Sequence, residues 1–209
     1  MGLMKYMRSK TTALALLFSS VASLAGEADT VGIGNSIAES DCAWCHGTIG
    51  QGFAAAPQLA GQRREYIRGQ LLSFQAHLQD SPNAQRYMWG AAARLNPQTA
   101  DALAIYFSTL KAESAADGDK ELAPTGELIY REGNPTSNIP SCVPCHGLEA
   151  EGAGHIPRLG GQSYHYLKSK LKQWGEGYNA ATEPPMPEIA RKLSAAEIDA
   201  LASYLSFIK

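Results

Sequence analysis

The chain has 209 residues, 44% hydrophobic and 18% charged, with a formal net charge of −2. That balance argues against nucleic acid as a partner, and no segment beyond the N-terminal stretch is apolar for long enough to span a bilayer.

Residues 1–25 have the layout of an export signal. Lys5, Arg8 and Lys10 form a basic start, an apolar run follows from Ala13 to Val21, and Ser23 and Ala25 are the small residues of a cleavage site. Cleavage would place the protein in the periplasm, whereas an uncleaved signal would act as an anchor. Removal of the three signal cations takes the net charge to −5. The acidity then lies unevenly: residues 26–111 have 7 acids and 6 bases, and residues 112–209 have 13 acids and 9 bases, which suits a basic partner surface at the second half.

All four cysteines fall in two Cys-x-x-Cys-His motifs, Cys42/Cys45/His46 and Cys142/Cys145/His146, set 100 residues apart. Two disulfides of this spacing would cross-link nothing distant. A thioredoxin-like pair needs a strand-helix-strand setting that is missing here, and zinc would draw on Cys2His donors. The pattern is that of c-type haem attachment, with thioether bonds from both cysteines and the histidine as proximal iron ligand.

Outward from these motifs the two halves repeat. Pro57-Gln-Leu-Ala-Gly-Gln62 returns as Pro157-Arg-Leu-Gly-Gly-Gln162, and Tyr66, Leu71 and Phe74 return as Tyr166, Leu171 and Trp174. The offset then slips to 98, pairing Met88 with Met186, Leu95 with Leu193, Leu103 with Leu201 and Tyr106 with Tyr204. Gly- and Pro-containing segments after each haem motif read as irregular loops wrapped around a cofactor. One-sided apolar spacing predicts a middle helix over residues 63–76 and its partner over 163–174. A final helix in each half shows one apolar face, Leu103, Tyr106, Phe107 and Leu110 in the first copy. Asn96 with Pro97 starts the first of these, and the capping box Ser194-Ala-Ala-Glu197 starts the second. Between the halves, residues 112–124 read as a polar surface linker, giving an all-α chain with haem-binding units at 26–111 and 125–209.

Once the signal is removed only two methionines remain, Met88 and Met186, 42 and 40 residues after their histidines. A lone methionine is ordinarily core filler. Two at equivalent places in a di-haem chain are the expected distal iron ligands, with bis-histidine ligation or an open iron as alternatives. The spare donors His77, His155 and His165 have no histidine equivalent in the other half. Met/His ligation fills the iron's coordination sphere, so one-electron transfer is expected in place of substrate turnover, and no catalytic residue is assigned.

With both Cys-x-x-Cys-His motifs, both Pro-x-Leu-x-Gly-Gln segments, both methionines and the Lys192-Leu-Ser-Ala-Ala-Glu-Ile-Asp-Ala-Leu-Ala-Ser-Tyr204 stretch in place, the chain resembles the di-haem cytochrome c4 family. The resemblance implies two tandem class I cytochrome c domains, each wrapped around one covalent haem c and related by approximate twofold symmetry. It also implies a periplasmic carrier between an electron donor and a terminal oxidase or other acceptor, with peripheral membrane association, and it places the Pro57 and Pro157 carbonyls on Nδ1 of His46 and His146. The shorter run before Cys42 predicts a shortened first N-terminal helix, and the different surroundings of Met88 and Met186 predict unequal haem potentials. The alternatives are a haem subunit of a periplasmic dehydrogenase, or a haem enzyme such as a thiosulfate dehydrogenase or di-haem peroxidase.

Overall fold

The computed structural model describes residues 29–209; the signal-peptide reading of residues 1–25 lies outside them. Helix α1 is described over residues 29–37 and runs on through a π-helical turn, Ala38–Cys42, into α2, Ala43–His46. After a Gly-rich loop come α3 (Arg64–Gln75), a second π-helical turn (Ala84–Met88) leading into α4 (Trp89–Ala92), and α5 (Pro97–Thr109). The second half runs α6 (Ala123–Glu132), α7 (Val143–His146), α8 (Tyr164–Gly175), α9 (Met186–Ala190) and α10 (Ala195–Phe207). Among the described residues the only β-pairing is three isolated bridges, and no helix is long and apolar enough to cross a membrane.

Helices α5 and α10 start where their caps dictate. Asn96 Oδ1 accepts the Thr99 N–H while Thr99 Oγ1 accepts the Asn96 N–H, both at 2.8 Å. Ser194 and Glu197 exchange the same pair of bonds at the start of α10. Both helices are buried on more than the single apolar face read from the sequence: Ala102 to Phe107 are all buried. The reason is that α5 has neighbours on several sides. It packs against α3, meets α1 at Gly34, and its Phe107 carbonyl accepts the N–H of Gly61 from the haem-motif loop. Each half encloses its own core, built around Ile67, Leu103 and Phe107 in the first and Leu167, Leu201 and Leu205 in the second.

The N-terminal helix of the first half is not shortened. Gly34 lies against Ala102, and Gly126 lies against the equivalent Ala200, so both domains make the same helix crossing. The missing residues come from the connection that follows: α6 is joined to α7 by a loop pinned by the Asn134–Ile139 bridge, whereas α1 passes straight into its haem motif.

Residues 112–122 do not hang free between the domains. Ala116 N–H and the Ser114 hydroxyl donate to the Ser206 carbonyl, and the Gly118 and Asp119 N–H groups donate to the hydroxyls of Ser206 and Ser203. Buried serines on α10 thus hold the connector along that helix.

The halves meet through reciprocal hydrogen bonds. Gln162 Oε1 accepts the Gln58 N–H at 2.9 Å and its Nε2 donates to the Gln58 carbonyl at 2.6 Å. Gln62 treats Arg158 identically, at 2.7 and 2.9 Å. At the far end, Asn179 Oδ1 accepts the Asp80 N–H at 3.0 Å and Asp80 Oδ1 accepts the Asn179 N–H at 2.6 Å. Bonds exchanged in both directions are what an approximate twofold axis between the halves produces.

Candidate haem sites

Each Cys-x-x-Cys-His motif forms one short helix that ends at glycine, with φ of +80° at Gly47 and +86° at Gly147. The chain then turns back beneath the histidine. Gly52 and Gly152 donate their N–H groups to the carbonyls of His46 and His146, both at 2.8 Å, and the Phe53–Ala56 and Ala153–Ile156 bridges close the loop. This delivers the Pro57 carbonyl to His46 Nδ1 at 2.9 Å and the Pro157 carbonyl to His146 Nδ1 at 3.1 Å. A carbonyl can only accept, so Nδ1 has the proton and Nε2 is left as the bare donor.

Both imidazoles are buried, at 7% and 6% exposed. Burial lowers the pKa of each, outweighing the proline carbonyl bond that raises it, and the ring is therefore held neutral, the form that binds a metal. His77, His155 and His165 are all exposed. His77 stacks on Trp89 with ring centroids 4.2 Å apart, and His165 meets Tyr164 edge-on.

The cysteines are unpaired, with Cys42 and Cys142 packed against the two cores and Cys45 and Cys145 exposed. Burial, with Asp41 adding to it, pushes the Cys42 thiol up to about 11; burial, with Cys145 adding to it, does the same for Cys142. Neither is a poised thiolate of the kind a dithiol redox enzyme needs. A neutral thioether suits such a setting. Among the described residues no three His, Cys, Asp or Glu side chains gather as a bare metal site.

Met88 closes the π-helical turn before α4 and Met186 opens α9; both are half-buried, and Met186 also packs against the cluster of Leu171, Trp174, Ala190 and Ile198. A further feature fits an anionic cofactor. Arg158 Nε is buried without a hydrogen-bond partner, and burial, then the neighbouring Arg63 cation, depresses the guanidinium pKa. A haem propionate is the kind of anion that such a site accommodates.

In the sequence Gln62 and Gln162 stand only as the ends of the Pro-x-Leu-x-Gly-Gln repeat. Their role across the interface was accessible from one signal, a polar residue kept in both halves inside an otherwise small-residue turn.

A family model described as cytochrome c matches residues 31–111 and again 126–209. The chain is 37% identical to cytochrome c4 of Thiocapsa roseopersicina, over 82% of this chain and 89% of that protein. It is also 37% identical to a thiosulfate dehydrogenase electron acceptor of Stutzerimonas stutzeri (strain A1501), over 79% and 77%. Among solved structures it resembles Acidithiobacillus ferrooxidans cytochrome c4 with a TM-score of 0.74 and 36% identity, covering 80% of this chain and 98% of that one. Two cytochrome c domains in tandem, each with its own Cys-x-x-Cys-His motif, carry two covalent haem c groups, and the chain belongs to the di-haem cytochrome c4 family.

Proposed function

We propose that this electron carrier holds one haem iron between His46 and Met88 and the other between His146 and Met186, with Cys42, Cys45, Cys142 and Cys145 making the thioether bonds. The observation that supports this best is the twice-built histidine setting: Nδ1 tied to a proline carbonyl, Nε2 bare, the ring buried and neutral. When bound, the haems would supply one-electron iron chemistry, and a methionine with a histidine as ligands would favour the ferrous state. The chain's own residues orient the imidazoles through Pro57 and Pro157, bury them from water, and offer Arg158 to a propionate. A histidine and a methionine holding each iron would favour electron transfer over substrate chemistry there.

The near-infrared sulfur-to-iron charge-transfer band of the oxidised protein tests this assignment. Two haems per chain with the full band are expected, halved in Met88→Ala or Met186→Ala and absent in the double variant. An unchanged band in either single variant would remove that methionine from the ligand set.

The relay we infer runs from a periplasmic donor to a terminal oxidase or other acceptor, in an exported protein. Localisation rests on the layout of residues 1–25. A dehydrogenase as donor, with this chain as its haem subunit or acceptor, is favoured by the similarity to a thiosulfate dehydrogenase electron acceptor. Thiosulfate alone should leave the oxidised protein oxidised, and thiosulfate with a catalytic thiosulfate dehydrogenase should reduce it. Reduction by thiosulfate alone would instead make this chain an enzyme.

A further inference from the structure

One peptide group in each half serves two partners. The amide joining Pro57 to Gln58 accepts the His46 Nδ1 proton at its oxygen, at 2.9 Å, and donates its N–H across the domain interface to Gln162 Oε1, also at 2.9 Å. The amide joining Pro157 to Arg158 accepts from His146 at 3.1 Å and donates to Gln62 Oε1 at 2.7 Å. Gln62 and Gln162 are each 4% exposed, so bulk water cannot stand in for either acceptor.

Hydrogen bonds at the two ends of an amide reinforce each other, because an N–H that is bonded leaves its carbonyl oxygen more negative. A stronger acceptor on Nδ1 makes the imidazole a more basic ligand, and a more basic ligand favours ferric iron. Each glutamine therefore reaches a histidine in the opposite domain through one amide, while making no such path to the histidine of its own domain.

We propose that Gln162 and Gln62 are crossed positioning residues: Gln162 lowers the reduction potential of the haem held by His46, and Gln62 lowers that of the haem held by His146. Each domain thus sets the potential of its neighbour, and docking of the halves is part of redox tuning. The proposal rests on the reading of His46 and His146 as iron ligands.

The test uses the holoprotein and the variants Q162M and Q62M, in which an unbranched apolar side chain replaces the amide. Redox titration is followed by NMR through each haem's own methyl resonances. Q162M should raise the midpoint of the haem at Cys42/Cys45, changing its oxidised-to-reduced ratio at fixed potential about twofold, and leave the other haem nearer its original value. Q62M should give the mirror result. Equal movement of both haems in both variants, or a shift confined to the substituted domain, would mean that the glutamines only hold the interface together, and the proposal fails. If Q162M does not retain haem, Q162E is measured in its place. It keeps an acceptor oxygen for the Gln58 N–H and makes it stronger, so the haem at Cys42/Cys45 should fall in potential by more than the other; equal falls overturn the proposal. Nitrogen-15 histidine NMR of the reduced wild-type protein separates this from failure of the ligand assignment. Ring nitrogens of His46 and His146 that show no iron coordination would refute that assignment, while coordinated histidines without crossed shifts would refute only the relay.

Discussion

Gly52 and Gly152 show what a single residue contributes to a haem site. Both have positive φ, +76° and +64°, and a Cβ on Gly52 would come within 2.7 Å of the Ala56 carbonyl and the Gln58 nitrogen. On Gly152 it would overlap the Ile156 carbonyl. Only glycine lets the loop fold back tightly enough to put a proline carbonyl under the histidine. Gly152→Ala should cost about 2–4 kcal/mol in denaturant unfolding of the holoprotein and raise the potential of the second haem, since the His146 Nδ1 bond loosens. A variant with unchanged stability and potential would show that the loop tolerates the side chain. The loops were legible in the sequence as irregular, glycine-rich wrapping, and so were the two Cys-x-x-Cys-His motifs, because covalent attachment imposes fixed spacing. Arg158 was not legible as a cation whose buried Nε has no hydrogen-bond partner. Arg63 and Gln62 of the other domain lie against it, and nothing local in Pro157-Arg158-Leu159 encodes that approach.

At the scale of helices, the crossings of α1 on α5 and of α6 on α10 each depend on a glycine. A Cβ at Gly126 would overlap the Ala200 carbonyl, and one at Gly34 the Ala102 carbonyl. Alanine gains about 1 kcal/mol of helix propensity over glycine; overpacking against rigid backbone costs about 1–3 kcal/mol and more where neither helix can move. The clash should win, so Gly126→Ala is expected to lower stability despite its better propensity, read as a lower urea midpoint. Capping adds a pH dependence. Burial pushes the Glu197 carboxyl up, but bonds from the Ser194 backbone, the Ser194 hydroxyl and the Asn134 amide outweigh it and leave the pKa below its ordinary value of 4.5. The sign follows: this stabilisation is complete above the unfolded value and is lost as pH falls through the folded one. Glu197→Gln should therefore weaken the protein by about 1 kcal/mol at neutral pH and flatten its stability profile in the acid range. The capping box itself was readable in Ser194-Ala-Ala-Glu197. Its link to Asn134, at 2.7 Å, was not, since the loop carrying Asn134 is an addition with no counterpart in the first half. That addition also explains why a shorter run before Cys42 suggested a shorter helix: sequence length alone does not say whether helix or loop has been lost.

Across the whole molecule, the interface is polar and its weight falls on a few buried side chains. Asn179, 2% exposed and in the left-handed region at φ 56°, accepts from the Asp80 and Ser81 N–H groups through Oδ1 and donates through Nδ2 to Glu183 at 3.0 Å. Glu183 is half-buried, paired with Lys170 at 2.9 Å, and accepts from Trp174 of its own domain and Gln70 of the other. Asparagine is suited to this place twice over, since it tolerates positive φ and presents a donor on one side with an acceptor on the other. Asn179→Asp keeps the backbone preference and the shape, but turns the donor toward Glu183 into a second anion and brings a charge up to Asp80. A lost buried donor together with like charges held close costs on the order of 3 kcal/mol. The variant should unfold at lower urea concentration at neutral pH, and the loss should shrink as pH falls through the carboxylate range, where one of the facing acids takes up a proton. Asn179→Ala supplies the contrast: it removes the same hydrogen bonds without adding charge, so its deficit should persist at acid pH. If both variants lost the same stability at every pH, the interface would depend on the shape and hydrogen bonds of Asn179 alone, and the anions around it would have no part in holding the two haem domains together.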